Sequence, residues 1–250
     1  MFDGKTILIS LLMISLLTIF CVFGSNLVEN TIETITDGKL LPIYSVETNE
    51  KKVAITFDCA WGADDIEAIV DTLDFNNASA TFFTVGTWVD KFPEAVKLLS
   101  DAGMEIGNHS NSHKHVNKMS YGENLEDMTN CNSKISEITG NPVKFYRGPY
   151  GEYNNTVISV AEELNMKVIQ WDVDTLDYTG KTTDEMCKRI KDKIRNGSII
   201  LMHNDTKYTA SGLQKIIDTI HECGYEIVLL NELVYEDNYE INHEGRQIKQ

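Results

Sequence analysis

Hydrophobic positions fall along this chain in two alternating textures. Short runs rich in β-branched and aromatic residues recur as VAITF (53–57), SATFFTV (79–85), MEIG (104–107), VKFY (143–146), MKVIQW (166–171), SIILM (198–202) and YEIVLL (225–230). Each is brief and bounded by polar or turn residues, the signature of a buried strand. Between them lie DDIEAIVDTLDF, PEAVKLLSDAG, NLEDMTNCNSKISEITG, TVISVAEELN, TDEMCKRIKDKIRNG and SGLQKIIDTIHECG, with apolar residues three and four apart. That spacing predicts amphipathic helices, several closed by a Gly or Asn suited to a left-handed cap. Strand and helix alternating this often predict an α/β fold with about seven parallel strands. No GxGxxG turn follows the first strand, which favours a barrel over an open doubly wound sheet.

The ends of the chain read differently. From Thr6 to Phe23 there is no charged residue. The run is apolar on every face and predicts an export element, read as an uncleaved membrane anchor within a 1–25 segment rather than a cleaved signal peptide. Residues 26–50 read as a linker and lead-in, 51–235 as the folded domain, and the polar stretch 236–250 as a tail. The expected location is the cell membrane with an extracytoplasmic domain, or secretion if the segment is cleaved.

Charge narrows the choice of partner. A net charge of −16 and a pI near 4.7 argue against a phosphate backbone, so no nucleic acid is expected. Cys59, Cys131, Cys187 and Cys223 form no CxxC pair, and neither a zinc knuckle nor a redox motif is predicted.

The reactive residues collect just beyond the strands. Asp58 follows VAITF, His109 follows MEIGN, Arg147 follows VKFY, Asp172, Asp174 and Asp177 follow MKVIQW, and His203 follows SIILM. In a parallel α/β barrel these ends share the face where active sites are built. His109 and His113, four apart in HSNSH, can hold one metal ion through neutral imidazoles or be a surface pair in a polar loop. His115, out of step with them, reads as surface.

The set TFDCAWG, HSNSH, RGPYG, WDVDTLDY and LMH, in that order, resembles the five motifs of the NodB-type polysaccharide deacetylases, carbohydrate esterase family four. The lead-in LPIYSV and a first motif ending in AWG resemble its sporulation-associated branch in Gram-positive bacteria. The resemblance implies a distorted (β/α) barrel and one divalent metal, usually zinc, held by two histidines and an aspartate. By position it assigns His109 and His113 as ligands, Asp58 as general base, Arg147 as the residue orienting it, the Tyr150 main-chain N–H to the oxyanion, His203 as general acid and Asp177 as the carboxylate steadying that acid. The implied activity is removal of N-acetyl groups from amino sugars of a polysaccharide such as peptidoglycan or a chitin-like glycan. O-deacetylation, and a catalytically silent glycan-binding module, are the alternatives.

Two departures bear on this. Where the family has a second aspartate as metal ligand, this chain has Cys59, and the third ligand is expected from Asp64 in GADD or from the Cys59 thiolate. Tyr178 stands in place of a motif tryptophan. Trp61 is expected to line the site, Trp88 and Trp171 to be core, and Asp172 and Asp174 receive no role.

Overall fold

The computed structural model describes residues 38–250, of which Leu41–Gln250 form one compact unit. The apolar run 6–23 and residues 26–37 of the linker lie outside the described residues. Among those described, no helix is long and apolar enough to cross a membrane.

Eleven strands occur among the described residues: β1 (Ser45–Val46), β2 (Lys52–Cys59), β3 (Ala80–Thr84), β4 (Glu105–Asn108), β5 (Phe145–Tyr146), β6 (Lys167–Val168), β7 (Val173–Asp174), β8 (Ile199–His203), β9 (Glu226–Ile227), β10 (Tyr239–Ile241) and β11 (Arg246–Lys249). The main sheet runs β6-β5-β4-β3-β2-β8-β7, with β9 pairing the start of β2. Its pairings are parallel, and the sheet curls into a distorted (β/α) barrel with the helices around it. β2 is its axis: seven of its eight residues are buried, as a strand covered on both sides requires. MKVIQW is broken after β6, and Val173–Asp174 returns beside β8 as a separate strand.

Register sorts side chains between the two faces. In a parallel sheet register partners point the same way and successive residues alternate. Asp58 pairs with Phe83 on one side and His203 on the other, so these three face the barrel interior. Phe57 pairs with Phe82 on the helix side, their rings stacked at 4.8 Å. The interior is filled by Ala54, Phe83, Phe145, Ile169 and Ile199, with Leu230 and Leu233 packed in the same cluster.

Helix ends follow the sequence closely. The helix Tyr121–Thr139 opens on a capping box between Ser120 and Glu123 and closes on left-handed Gly140, φ 71°. Thr183–Lys193 opens the same way on Thr182 and Glu185.

The segment expected to be a polar tail is instead built into the fold. β10 and β11 form an antiparallel hairpin turned by Asn242 and Gly245, and β11 pairs in parallel with β1. Gln247 is fully buried, its amide exchanging two hydrogen bonds with the main chain of Tyr235. A buried amide satisfied in this way stabilises the hairpin although its sequence looks solvated. The lead-in is likewise integral, with Ile43 and Val46 in the core cluster.

Candidate active site

Asp58, at the end of β2, faces Arg147, which enters just past β5. Arg147 is fully buried and donates from Nη1 to Asp58 Oδ1 at 2.7 Å and to Thr56 Oγ1 at 2.9 Å. Its other nitrogens donate to the carbonyls of Ile169 and Gln170, and its plane lies over the Phe83 ring at 4.1 Å. Burial alone would push the Asp58 carboxyl up. The Arg147 guanidinium, with His109 and His203, outweighs it and holds the carboxyl below its usual range. Asp58 is therefore an ionised base at neutral pH.

His109 donates from Nδ1 to the Arg147 carbonyl at 2.8 Å, which leaves the Nε2 lone pair facing Asp58 Oδ2 at 3.6 Å. Burial pushes this imidazole down to about 4. His113 approaches with its ring centroid 5.2 Å from that of His109, and burial lowers it as well. The loop between them contains left-handed Ser110 and His113, φ 70° and 55°. It is stapled to the helix Tyr121–Thr139. Asp127 accepts from the Asn111 N–H at 2.7 Å and the Ser112 hydroxyl at 3.2 Å, and Asn108 donates to the Met128 carbonyl and to Asn132. Asp127 was not among the sequence candidates. Its signal lies in the helix pattern, where Asn124 and Asp127 occupy core-facing positions in step with Met128, Cys131 and Ile135.

His203 ends β8. Its main-chain N–H donates to Asp177 Oδ2 at 2.7 Å and its Nδ1 to Asp177 Oδ1 at 2.9 Å. Asp177 also accepts from the Thr209 hydroxyl and the Tyr178 N–H. Burial pulls the His203 pKa down, but the hydrogen bond to Asp177 and the charges of Asp58 and Asp177 carry it above its ordinary value.

A cleft of about 330 Å³ brings these groups together, lined among others by Asp58, His109, His113, Tyr150, Trp171 and His203. Trp61, Tyr150 and Tyr178, each more than half exposed, stand around it. Trp88 is core, donating from Nε1 to the Gly62 carbonyl. Trp171, expected in the core, lines the cleft beside Arg147. Asp172 braces the barrel by accepting from the Ile199 N–H and from Arg195. Asp174 lines the cleft and caps its own turn at Leu176.

The implied metal finds two donors here rather than three. Cys59 pairs in register with Thr84, opposite in face to Asp58, and is fully buried. Burial first, then Asp58 and Asp65, push its thiol well above the ordinary range, against the thiolate a metal needs. Asp64 is exposed and does not line the cleft. Its neighbours are tied down: Gly62 N–H donates to Asp205, the Gly62 carbonyl accepts from Asn204, and Asp65 accepts from the Asp205 N–H. Among the described residues no three His, Cys, Asp or Glu side chains converge to hold a metal ion. His109 and His113 thus fall one ligand short of the three protein ligands usual for a catalytic zinc.

Comparison with known proteins agrees with this geometry. Residues 45–169 match the family model described as polysaccharide deacetylase, a span that ends before Asp177 and His203. YlxY of Bacillus subtilis is 33% identical over 195 residues, covering 78% of this chain and 61% of YlxY. The peptidoglycan-N-acetylglucosamine deacetylase PgdA of Listeria monocytogenes is 32% identical over 198 residues, 79% of this chain and 42% of PgdA. The chain thus spans less than two thirds of the length of either relative. Among solved structures, wild-type BA3943, a CE4 family pseudoenzyme from Bacillus anthracis, superposes with a TM-score of 0.75 at 33% identity, covering 78% of this chain and 69% of that one. A family match over half the sequence, together with a shared backbone at one-third identity, makes this chain a member of the polysaccharide deacetylase family.

Proposed function

We propose that the chain is a hydrolase that removes N-acetyl groups from amino sugars of peptidoglycan or a chemically similar glycan. The observation that carries this is the pairing of two titratable groups of opposite tuning in one cleft. Arg147 favours the ionised form of Asp58, and Asp177 favours the protonated form of His203 against the pull of burial, on adjacent strands in register. Groups pushed apart in this way are suited to act as base and acid at one pH. Asp58 takes the proton of the attacking water. The main-chain N–H of Tyr150, in the turn Pro149–Gly151, faces the oxyanion that develops on the acetyl carbonyl oxygen, and His203 protonates the departing amine, which leaves poorly otherwise. Trp61 and Tyr178 offer aromatic faces to sugar rings. PgdA, whose name states this reaction, supports the choice of peptidoglycan.

A second function is favoured by one observation, Cys59 in place of the second aspartate, and by likeness to a pseudoenzyme. In it the domain binds glycan without cleaving it. Divalent metal, zinc first among candidates, would be held by His109 and His113. The apolar run 6–23 supports export and anchoring at the membrane, which fractionation of cells expressing the full chain would test.

The test of the activity is acetate release from purified peptidoglycan, with O-acetylated xylan as comparison and with zinc added or chelated. Release that depends on Asp58 supports the deacetylase. Binding of N-acetylglucosamine oligomers without release under any metal condition supports the silent module and overturns the deacetylase.

A further inference from the structure

Tyr150 is held in a conformation that its own residue type disfavours. Its φ of 60° and ψ of 14° are left-handed, where a Cβ crowds the following carbonyl, and the residue belongs to the short turn Pro149–Gly151. Such a conformation persists only where neighbours over-determine it. Three contacts do so, all from one loop. The Tyr150 ring stacks on His115 at 4.4 Å with 21° between planes. Its edge meets the His113 ring at 4.8 Å, and its hydroxyl donates to the His113 carbonyl at 3.4 Å.

His115 is itself anchored from the other side of the same turn. Its Nδ1 donates to Glu152 Oε1 at 2.7 Å, and Glu152 Oε2 accepts from the Asn117 N–H at 3.3 Å. Tyr150, His115 and Glu152 thus form a closed ring of contacts between residues 113–117 and 148–152, two segments distant in sequence. The turn beneath is too tight to adjust freely, since a Cβ at Gly148 would meet the Glu152 carbonyl at 2.1 Å.

We propose that His115 is a positioning residue: clamped by Glu152, it fixes the Tyr150 turn, and so aims both the Tyr150 ring and its main-chain N–H into the cleft. For what the N–H faces, this rests on the deacetylase proposal; the clamp itself does not. His115→Ala removes stack and hydrogen bond together, whereas His115→Phe keeps an aromatic face against Tyr150.

The experiment is hydrogen exchange of the Tyr150–Glu152 amides in the full chain, alongside kcat and KM for acetate release and NMR titration with an N-acetylglucosamine oligomer. His115→Ala is expected to speed exchange in the turn by about tenfold or more, and to lower kcat by about 10- to 100-fold while KM moves less, because a misaimed donor is lost in the transition state. His115→Phe is expected to recover most of the exchange protection and part of kcat. Unchanged exchange in His115→Ala, or His115→Phe no better than His115→Ala, overturns the clamp. If the wild-type chain releases no acetate, the deacetylase proposal falls, and the exchange data alone still decide for or against His115.

Discussion

Asp177 grips His203 at two points, accepting the main-chain N–H on one oxygen at 2.7 Å and the ring Nδ1–H on the other at 2.9 Å. The imidazole can neither rotate about its bond to the backbone nor exchange its tautomer without losing a buried hydrogen bond. Its Nε2 is thereby committed to the cleft, the arrangement a proton donor requires.

Asp177→Asn is expected to move the alkaline limb of the pH–rate profile to lower pH. His203 has its pKa raised above the ordinary 6.5 despite burial, chiefly through Asp177, so its acid form lasts until pH passes that raised value. Removing the carboxylate removes the cause. The same pair stabilises the fold fully below 6.5, and its contribution is lost as pH rises through the raised pKa. NMR titration of His203 beside the rate profile checks both. An alkaline limb that stays in place would exclude His203 as the group responsible.

Asp58→Asn is expected to lower acetate release by about 10²- to 10⁴-fold, the range for loss of a general base. The fold is retained, since the amide oxygen can still accept from Arg147. Circular dichroism and a thermal melt test the second half of that expectation, and residual turnover near wild type defeats the first.

Arg147→Met leaves the Asp58 carboxylate buried without its partner. A loss of about 3–5 kcal/mol in urea unfolding is expected, the usual consequence of breaking one side of a buried pair. The double variant Arg147→Met with Asp58→Asn is expected to be more stable than the single Arg147→Met. Additive losses would show that the guanidinium acts through its carbonyl contacts and the Phe83 ring rather than through Asp58.

Zinc titration separates the candidate ligands. His109→Ala is expected to abolish binding, while Asp64→Ala and Cys59→Ser leave the affinity of the wild-type chain unchanged, because neither side chain reaches the cleft. X-ray absorption on zinc-loaded protein is expected to show nitrogen and oxygen neighbours near 2.0–2.2 Å and no sulfur near 2.3 Å. Weakened binding in Asp64→Ala would show that the loop between Gly62 and Asp65 opens and delivers the carboxylate.

Much of this site was legible because its residues sit at or just past the C-terminal ends of strands, and strand runs are local patterns. Asp58, His109, Arg147, Tyr150 and His203 all line or adjoin the cleft for that reason. What stayed hidden depends on contacts between distant segments. Nearness in sequence suggested Asp64, but the hydrogen bonds that hold its loop come from Asn204 and Asp205. His115 reads as a lone surface histidine until the chain returns with Tyr150 and Glu152. The hairpin Tyr239–Lys249 reads as solvated because its one fully buried side chain, that of Gln247, is polar.

That hairpin also sets an order of events. β1 finds its parallel partner only in Arg246–Gln247, although Ser45–Val46 precedes every strand of the barrel. A ribosome releases β1 long before β11, so the earlier strand must wait while the whole barrel is synthesised. Joining such distant residues requires closing a very long loop, a slow step for a newly made chain. That seam, between the earliest and latest strands among the described residues, cannot close before Arg246–Gln247 is made, and a chain shortened before Arg246 would leave Ser45–Val46 with its contacts at Gly197 and Ser198 but without its parallel neighbour.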